Sequence, residues 1–302
     1  MTNEAIIGRF FQMLDILKTA GVIRGVATFC NRYGIDRRNL YQLDHDRTRR
    51  FEVEWLQRWQ MSMEREGLSN NYISIQLRNV RGIFNLALDA GVTTAYPFRK
   101  FKIPKNEPRQ RALKVETLRE IFNADVEPFM QSYLDIFKLH FLLIGINIAD
   151  LCALREIKNG RIEYRRAKTK RWYSIKVEPE ALEIIERHRG KNFLLNIGDR
   201  YKDYRNYRRR INNALHKVGK VEIGKQGKKT YTPLLPELTT YYARHTWATI
   251  AVNDLDIPVD TVSAALGHSM GNPTTAIYIN HNQRKVDEAN RRVIDWVLYG
   301  KK

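Results

Sequence analysis

A proline-containing basic stretch at residues 94–108 divides this chain and limits what it can fold into. Three prolines fall there among lysines and arginines, a composition typical of an extended linker between domains. Apolar side chains recur at helical spacing before the stretch, whereas helical patterns alternate with short strand-like patterns after it. With 302 residues in the chain, each half is long enough to bury its own core. The sequence therefore predicts two domains, residues 1–104 and 105–302, with residues 105–110 as the linker.

The first predicted domain is helical throughout. Ser69 is suited to cap a helix whose apolar stripe runs to Gly91. Arg78 and Arg81 lie beside this stripe, at a helix edge where we expect them to meet phosphates. The spacing within residues 29–43 is that of a helix–turn–helix, but an ordinary pair of bundle helices gives the same pattern. Whether this segment reads a major groove stays open.

The second predicted domain is mixed and mainly helical. Apolar residues alternate with polar ones on both sides of a basic turn at residues 167–171, which predicts a small β-hairpin. Helical patterns occupy the following ranges: 118–122, 129–146, 148–154, 180–189, 201–218, 240–253, 258–266 and 283–298. The last helix carries an apolar end that suits packing on its own subunit or on a neighbour.

The charge of the chain favours a polyanionic partner. Lys and Arg number 52 against 33 Asp and Glu, a formal net charge of +19, which points to nucleic acid and to salt-dependent binding. The longest apolar run, residues 141–146, is far shorter than the roughly 20 residues of a membrane span. The N-terminal residues lack the pattern of a secretion signal. Cys30 and Cys152 are expected as buried thiols in a reducing cytoplasm.

Three side chains suited to one reaction fall within 35 residues: Arg244, His268 and Tyr278. A tyrosine oxygen can attack phosphorus when its proton is removed and the phosphate charge is neutralised. Arginine is the natural partner for that charge, and a lysine can protonate the leaving oxygen. This chemistry needs neither metal nor cofactor, and the second half lacks the closely spaced carboxylates of a two-metal nuclease.

The stretches YYARHTWAT, LGHS and TTAIY, which end at residues 249, 269 and 278, resemble the C-terminal signature of tyrosine recombinases, the phage-integrase family. Over almost its whole length, the chain resembles integrases of conjugative-transposon-type mobile elements. The resemblance implies a SAM-like core-binding domain, whose second half residues 51–98 resemble, followed by the catalytic domain. It also implies Tyr278 as nucleophile, Arg244 as phosphate clamp, His268 as an aid to proton transfer, and Lys168 as general acid on the hairpin.

Two positions depart from the family pattern. Asn147 stands where the first catalytic arginine is expected, and Tyr241 replaces a histidine. Asparagine donates a hydrogen bond without charge, and tyrosine accepts protons poorly at neutral pH. His245 either buttresses the site or caps its helix. Three nearby arginines could supply the missing charge: Arg155, Arg166 and Arg171. We also expect Arg166 and Arg171 to contact the DNA.

The resemblance implies an enzyme that cuts and rejoins double-stranded DNA through a 3′-phosphotyrosyl link, for integration, excision or inversion of a mobile element. It would act as a homo-tetramer on DNA half-sites in the bacterial cytoplasm, at the nucleoid, with accessory DNA-bending proteins as further possible partners. Two alternatives stay open. One is a recombinase-derived protein that binds DNA without cutting it, which the two departures favour. The other is a nicking–closing enzyme similar to type IB topoisomerases.

Overall fold

The computed structural model describes residues 53–89, 96–105, 111–267 and 283–301. The chain divides into two compact units, Met1–Arg109 and Gln110–Lys302. Several predictions fall outside the described residues: the helix–turn–helix at residues 29–43, Cys30, His268 and Tyr278. In the part of the chain that is described, no helix is both long enough and apolar enough to cross a membrane.

The first unit contains helices α1 (Val53–Arg65) and α2 (Asn70–Asp89), followed by a 3-10 turn at Pro97–Arg99. The predicted cap is confirmed, because the backbone N–H of Tyr72 donates to Ser69 Oγ at 3.3 Å. Arg78 and Arg81 are exposed on α2. The apolar faces of these elements form one small core: Leu56, Trp59, Met63, Ile73, Leu77, Val80, Phe98 and Phe101.

The second unit is mainly helical and contains two β-hairpins, which confirms the predicted fold class. Its elements in chain order are α3 (Val115–Phe122), α4 (Pro128–Leu142), α5 (Ile148–Ala153), β1 (Arg161–Arg165), β2 (Trp172–Lys176), α6 (Pro179–Arg187), α7 (Asn196–Arg200), α8 (Tyr204–Leu215), β3 (Gly219–Ile223), β4 (Lys229–Pro233), α9 (Thr240–Thr249), α10 (Val259–Leu266) and α11 (Gln283–Tyr299). A π-helical turn, Ile250–Asp254, extends α9. Each hairpin is an antiparallel pair, β1 with β2 and β3 with β4.

The core of the second unit is organised around Trp247 on α9, which is completely buried. Its indole N–H donates to Asn290 Oδ1 at 2.8 Å, and Asn290 Nδ2 donates to the Leu142 carbonyl at 3.0 Å. The polar groups of these buried side chains are thus paired, as burial requires. Helix α11, which carries Asn290, therefore packs on its own subunit and closes the core over α4 and α9.

Two differences between the predicted elements and the structure have a clear physical reason. The helix expected at residues 129–146 ends at Leu142, because Ile144 and Gly145 adopt positive φ angles of 57° and 65° and turn the chain. The hairpin of β3 and β4 was not predicted. Its strands expose most side chains, including Ile223 at 72%, so they lack the alternation by which a half-buried strand is identified.

Candidate active site

Arg244 lies half-buried on α9, between the inward-facing residues Ala243 and Trp247. Its guanidinium donates to the carbonyl of Gly145 at 3.3 Å and to the carbonyl of Leu266 at the end of α10. A β-carbon at Gly145 would overlap the Cα and Cβ atoms of Arg244. Glycine is therefore needed for this close approach, and the guanidinium is fixed between two loops.

The hairpin of β1 and β2 is attached beside Arg244. The backbone N–H of Ala167, in its turn, donates to Oδ1 of Asp150 on α5 at 2.9 Å. From β2, the Tyr173 hydroxyl donates to the Leu266 carbonyl at 3.0 Å. Because Arg244 binds the same carbonyl, the hairpin and α9 meet at the end of α10.

Two cations face one carboxylate in this region. Burial lowers the pKa of Arg244, and the nearby charge of Arg166 lowers it further. Burial also raises the pKa of Asp150, against the opposing effects of its hydrogen bond from Ala167 and of both arginines. Among the described residues, neither Arg166 nor Arg244 forms a salt bridge. The pocket is therefore positive and suited to an anion.

Lys168 is exposed in the hairpin turn, next to the anchored Ala167. Arg171 is also exposed, and its guanidinium donates to the Gly267 carbonyl at 3.1 Å. Arg155 is engaged elsewhere: it donates to the Asn192 carbonyl at 2.9 Å and lies over the ring of Phe193 at 3.8 Å. The structure thus brings Arg166 and Arg171 to the α10 end and leaves Arg155 out of that group.

The two departures from the family pattern lie on the elements that carry the site, Asn147 at the start of α5 and Tyr241 on α9. Asn147 is exposed at the N-cap of α5, and its side chain makes no capping hydrogen bond. The ring of Tyr241 meets that of His245 edge-on at 4.6 Å, and Arg111 lies over Tyr241 at 5.8 Å. Burial lowers the pKa of His245, with further lowering from Arg111 and Arg244. His245 therefore favours the neutral form and packs against Tyr241.

Residues 268–282 carry His268 and Tyr278 and are not described, but both flanking residues contact the hairpin. At one end, the carbonyl of Gly267 accepts from Arg171. At the other, Gln283 Nε2 donates to the Ser174 carbonyl on β2 at 2.9 Å. The described residues Gly267 and Gln283 thus both lie at the hairpin that carries Lys168.

Sequence reasoning missed the role of Asp150 and Tyr173 as anchors of the hairpin. Asp150 falls in the run GINIADL, three residues after Asn147. The sequence shows its carboxylate but not that the carboxylate binds the backbone N–H of Ala167. Also missed was a basic face on α8, opposite the buried Tyr207 and Ile211. Its exposed arginines, at the i, i+3, i+4 spacing of one helix face, are Arg205, Arg208 and Arg209.

The described His, Cys, Asp and Glu side chains are dispersed. Within the described ranges, no three residues among His, Cys, Asp and Glu lie close enough together to hold a metal ion. Cys152 is buried and unpaired, and burial raises the pKa of its thiol to about 12. It is a packed thiol and not a reactive one.

Comparison of the sequence with protein families and with curated proteins finds no match. Comparison of the structure identifies the fold as that of tyrosine recombinases. A lambda integrase dimer bound to a COC′ core site aligns with a TM-score of 0.59 and 15% identity, over 89% of this chain and 96% of that one. A lambda integrase tetramer bound to a Holliday junction aligns with a TM-score of 0.60 and 15% identity, over 93% of this chain and 78% of that one. The Tn1549 transposon integrase in complex with circular intermediate DNA aligns with a TM-score of 0.53 and 15% identity, over 93% of this chain and 98% of that one.

Proposed function

We propose that this protein is a site-specific tyrosine recombinase, which cuts and rejoins double-stranded DNA during movement of a mobile element. The observation that carries the proposal is the setting of Arg244. Its guanidinium is fixed by two backbone carbonyls, borders a positive pocket, and lies beside the hairpin that presents Lys168. Likeness of the fold to integrases solved with DNA supports the same function.

The proposed reaction transfers a phosphoryl group to protein and back. The Tyr278 oxygen forms a bond to the scissile phosphorus while the bond from phosphorus to the 5′ oxygen breaks. The phenol proton leaves to a base, with His268 assisting, and Lys168 gives a proton to the leaving 5′ oxygen. Arg244 holds charge that develops on the non-bridging oxygens. Attack of a 5′ hydroxyl on the phosphotyrosine then reverses these steps and rejoins a strand.

The remaining predicted residues serve the DNA in this proposal. Asn147 donates a hydrogen bond to the phosphate, and Tyr241 occupies the place of the family histidine. Contacts to the DNA backbone come from Arg78, Arg81, Arg166, Arg171 and His245. Four copies would act on a pair of half-sites, with DNA-bending proteins as possible accessories, at the bacterial nucleoid.

The decisive experiment is covalent capture on a suicide substrate, a duplex of the element's own ends with a nick beside the scissile phosphate. Tyr278→Phe removes one oxygen with little change in volume, so DNA binding should persist while the covalent product disappears. Arg244→Ala should also abolish it, because the phosphate loses its clamp. Tyr299→Phe is the matched control, since that hydroxyl binds Glu180 at 2.7 Å and takes no part in the site.

A DNA-binding protein without cleavage activity is the second candidate, favoured by the uncharged Asn147 and by Tyr241. If this candidate is right, the unmodified protein binds the substrate in native gels but forms no covalent product with it. A covalent product that persists in Tyr278→Phe would instead identify another tyrosine as the nucleophile.

A further inference from the structure

The guanidinium groups of Arg166 and Arg244 are linked at the end of α10, although only Arg244 belongs to the recognised catalytic pattern. Arg244 donates to the Leu266 carbonyl. The Tyr173 hydroxyl donates to the same carbonyl at 3.0 Å and accepts from Arg166 Nη1 at 3.3 Å. Arg166 and Arg244 are therefore linked through one hydroxyl and one carbonyl oxygen.

Arg166 differs from the other two arginines near the site. The guanidinium of Arg155 lies on Phe193, and that of Arg171 is exposed and bound to the Gly267 carbonyl. Arg166 is half-buried, and its charge is close enough to affect the ionisation of Arg244. Of the three, it is the one positioned to share an anion with Arg244.

The position of Arg166 is fixed before any ligand binds. The next residue, Ala167, is tied to Asp150, and the backbone N–H of Arg166 donates to the Arg171 carbonyl at 2.8 Å. Within the described residues, its guanidinium donates only to the Tyr173 hydroxyl. A guanidinium has five N–H donors, so most of the N–H donors of Arg166 remain available to a ligand.

We infer that Arg166 is a catalytic residue that contacts the scissile phosphate and supplies the positive charge that Asn147 lacks. The inference rests on the proposed recombinase function and identifies how this chain compensates for its departure from the family pattern. Asn147 follows the loop whose Gly145 carbonyl binds Arg244, and it precedes Asp150 by three residues. Asn147 is therefore close in sequence both to the loop that binds Arg244 and to the carboxylate that anchors the hairpin of Arg166.

The test is single-turnover cleavage of the nicked substrate by a set of variants. Arg166→Ala should slow covalent capture by about 10²–10³-fold, the scale for one preorganised donor. Arg155→Ala, which removes a guanidinium from outside the pocket, should change it by less than about threefold. Arg166→Ala combined with Asn147→Arg should recover most of the loss, because the positive charge returns at the position where the family pattern has its first arginine. Arg166→Gln, which keeps a donor for Tyr173, serves if the alanine variant does not fold.

A second measurement does not depend on cleavage. Inorganic phosphate should raise the melting temperature of the wild-type protein and of Arg155→Ala above an ionic-strength-matched chloride control. Most of that rise should be lost in Arg166→Ala and return with Asn147→Arg. Non-specific binding to the basic surface would affect all variants alike.

The outcomes separate the two proposals. If the wild-type protein forms a covalent product and Arg166→Ala behaves like Arg155→Ala, the assignment of Arg166 is wrong and the recombinase function stands. A slow Arg166→Ala that Asn147→Arg does not rescue also overturns it, because charge at the phosphate is then not what was lost. If the wild-type protein forms no covalent product, the recombinase proposal fails. The phosphate series then decides whether Arg166 builds an anion site, and equal shifts in all variants would reject it.

Discussion

At the scale of single residues, Gly145 determines whether Arg244 can reach its place. Its positive φ of 65° and the overlap that a β-carbon would create with Arg244 act together. Gly160 also has a positive φ, 71°, but nothing lies within 4 Å of its would-be β-carbon. Alanine substitution at each of these two glycines therefore separates the energetic cost of the left-handed backbone from the cost of the steric overlap.

We predict that Gly160→Ala lowers the free energy of unfolding by about 1 kcal/mol, the cost of a left-handed alanine. Gly145→Ala should cost more, and it should also abolish covalent capture, because α9 and the loop must separate. Urea unfolding and the suicide substrate measure the two effects. Equal costs, with cleavage intact in Gly145→Ala, would contradict the account of the close approach.

His140 on α4 gives a prediction for pH dependence. Its Nδ1 lies 2.6 Å from the Ile146 carbonyl, whereas its Nε2 is buried without a partner. Burial lowers the pKa of His140 to about 4. The unfolded chain therefore binds the proton first as pH falls below the ordinary value of about 6.5, and stability is lost.

Between about pH 7.5 and pH 5, this histidine should remove about 2 kcal/mol from the free energy of unfolding. His140→Gln keeps a donor for Ile146 but does not titrate, so its unfolding free energy should depend less on pH by that amount. Denaturant unfolding at several pH values measures the difference. Parallel pH profiles for the two proteins would show that His140 does not titrate as described.

At the scale of elements, several polar contacts hold the hairpin of β1 and β2 to the rest of the unit, and the bond from Ala167 to Asp150 is the one that fixes its turn. Asp150→Asn keeps a carbonyl oxygen as acceptor, whereas Asp150→Ala does not. The alanine variant should therefore lose amide protection in the turn, residues 166–171, and cleave more slowly, and the asparagine variant should keep the protection. Hydrogen exchange followed by mass spectrometry distinguishes them, and unchanged exchange in the alanine variant would rule out this anchor.

The same elements explain which parts of the fold the sequence predicts. The first hairpin was predicted because Ile162 and Ile175 are buried opposite each other and alternate with polar residues. The second was missed because its strands do not bury one face. In the candidate site, Arg244 and Lys168 were recognised from a family resemblance. Asp150 was not, since its partner is a backbone N–H 17 residues later, and such pairing leaves no mark in sequence.

At the scale of the whole molecule, the charge of +19 should act through particular faces, and α8 offers one. We predict that log affinity for duplex DNA falls steeply with log salt. The triple variant Arg205→Gln/Arg208→Gln/Arg209→Gln should flatten that slope by about 0.9 for each phosphate that is no longer neutralised. A control with equal charge change is Lys158→Gln/Arg189→Gln/Arg284→Gln, whose cations already pair with neighbouring glutamates. Equal slopes for both triples would place the DNA elsewhere.

The packing of α11 has a consequence for how the protein is made. A ribosome synthesises α9, with Trp247 and Arg244, before it synthesises the helix whose Asn290 covers Trp247. Domains fold as units, and a nascent chain that lacks α11 leaves this part of the core open. Arg244 lies on the same helix as Trp247, so the core beneath it is then incomplete. Under the proposed function, an unfinished chain is therefore expected to be unable to cleave DNA.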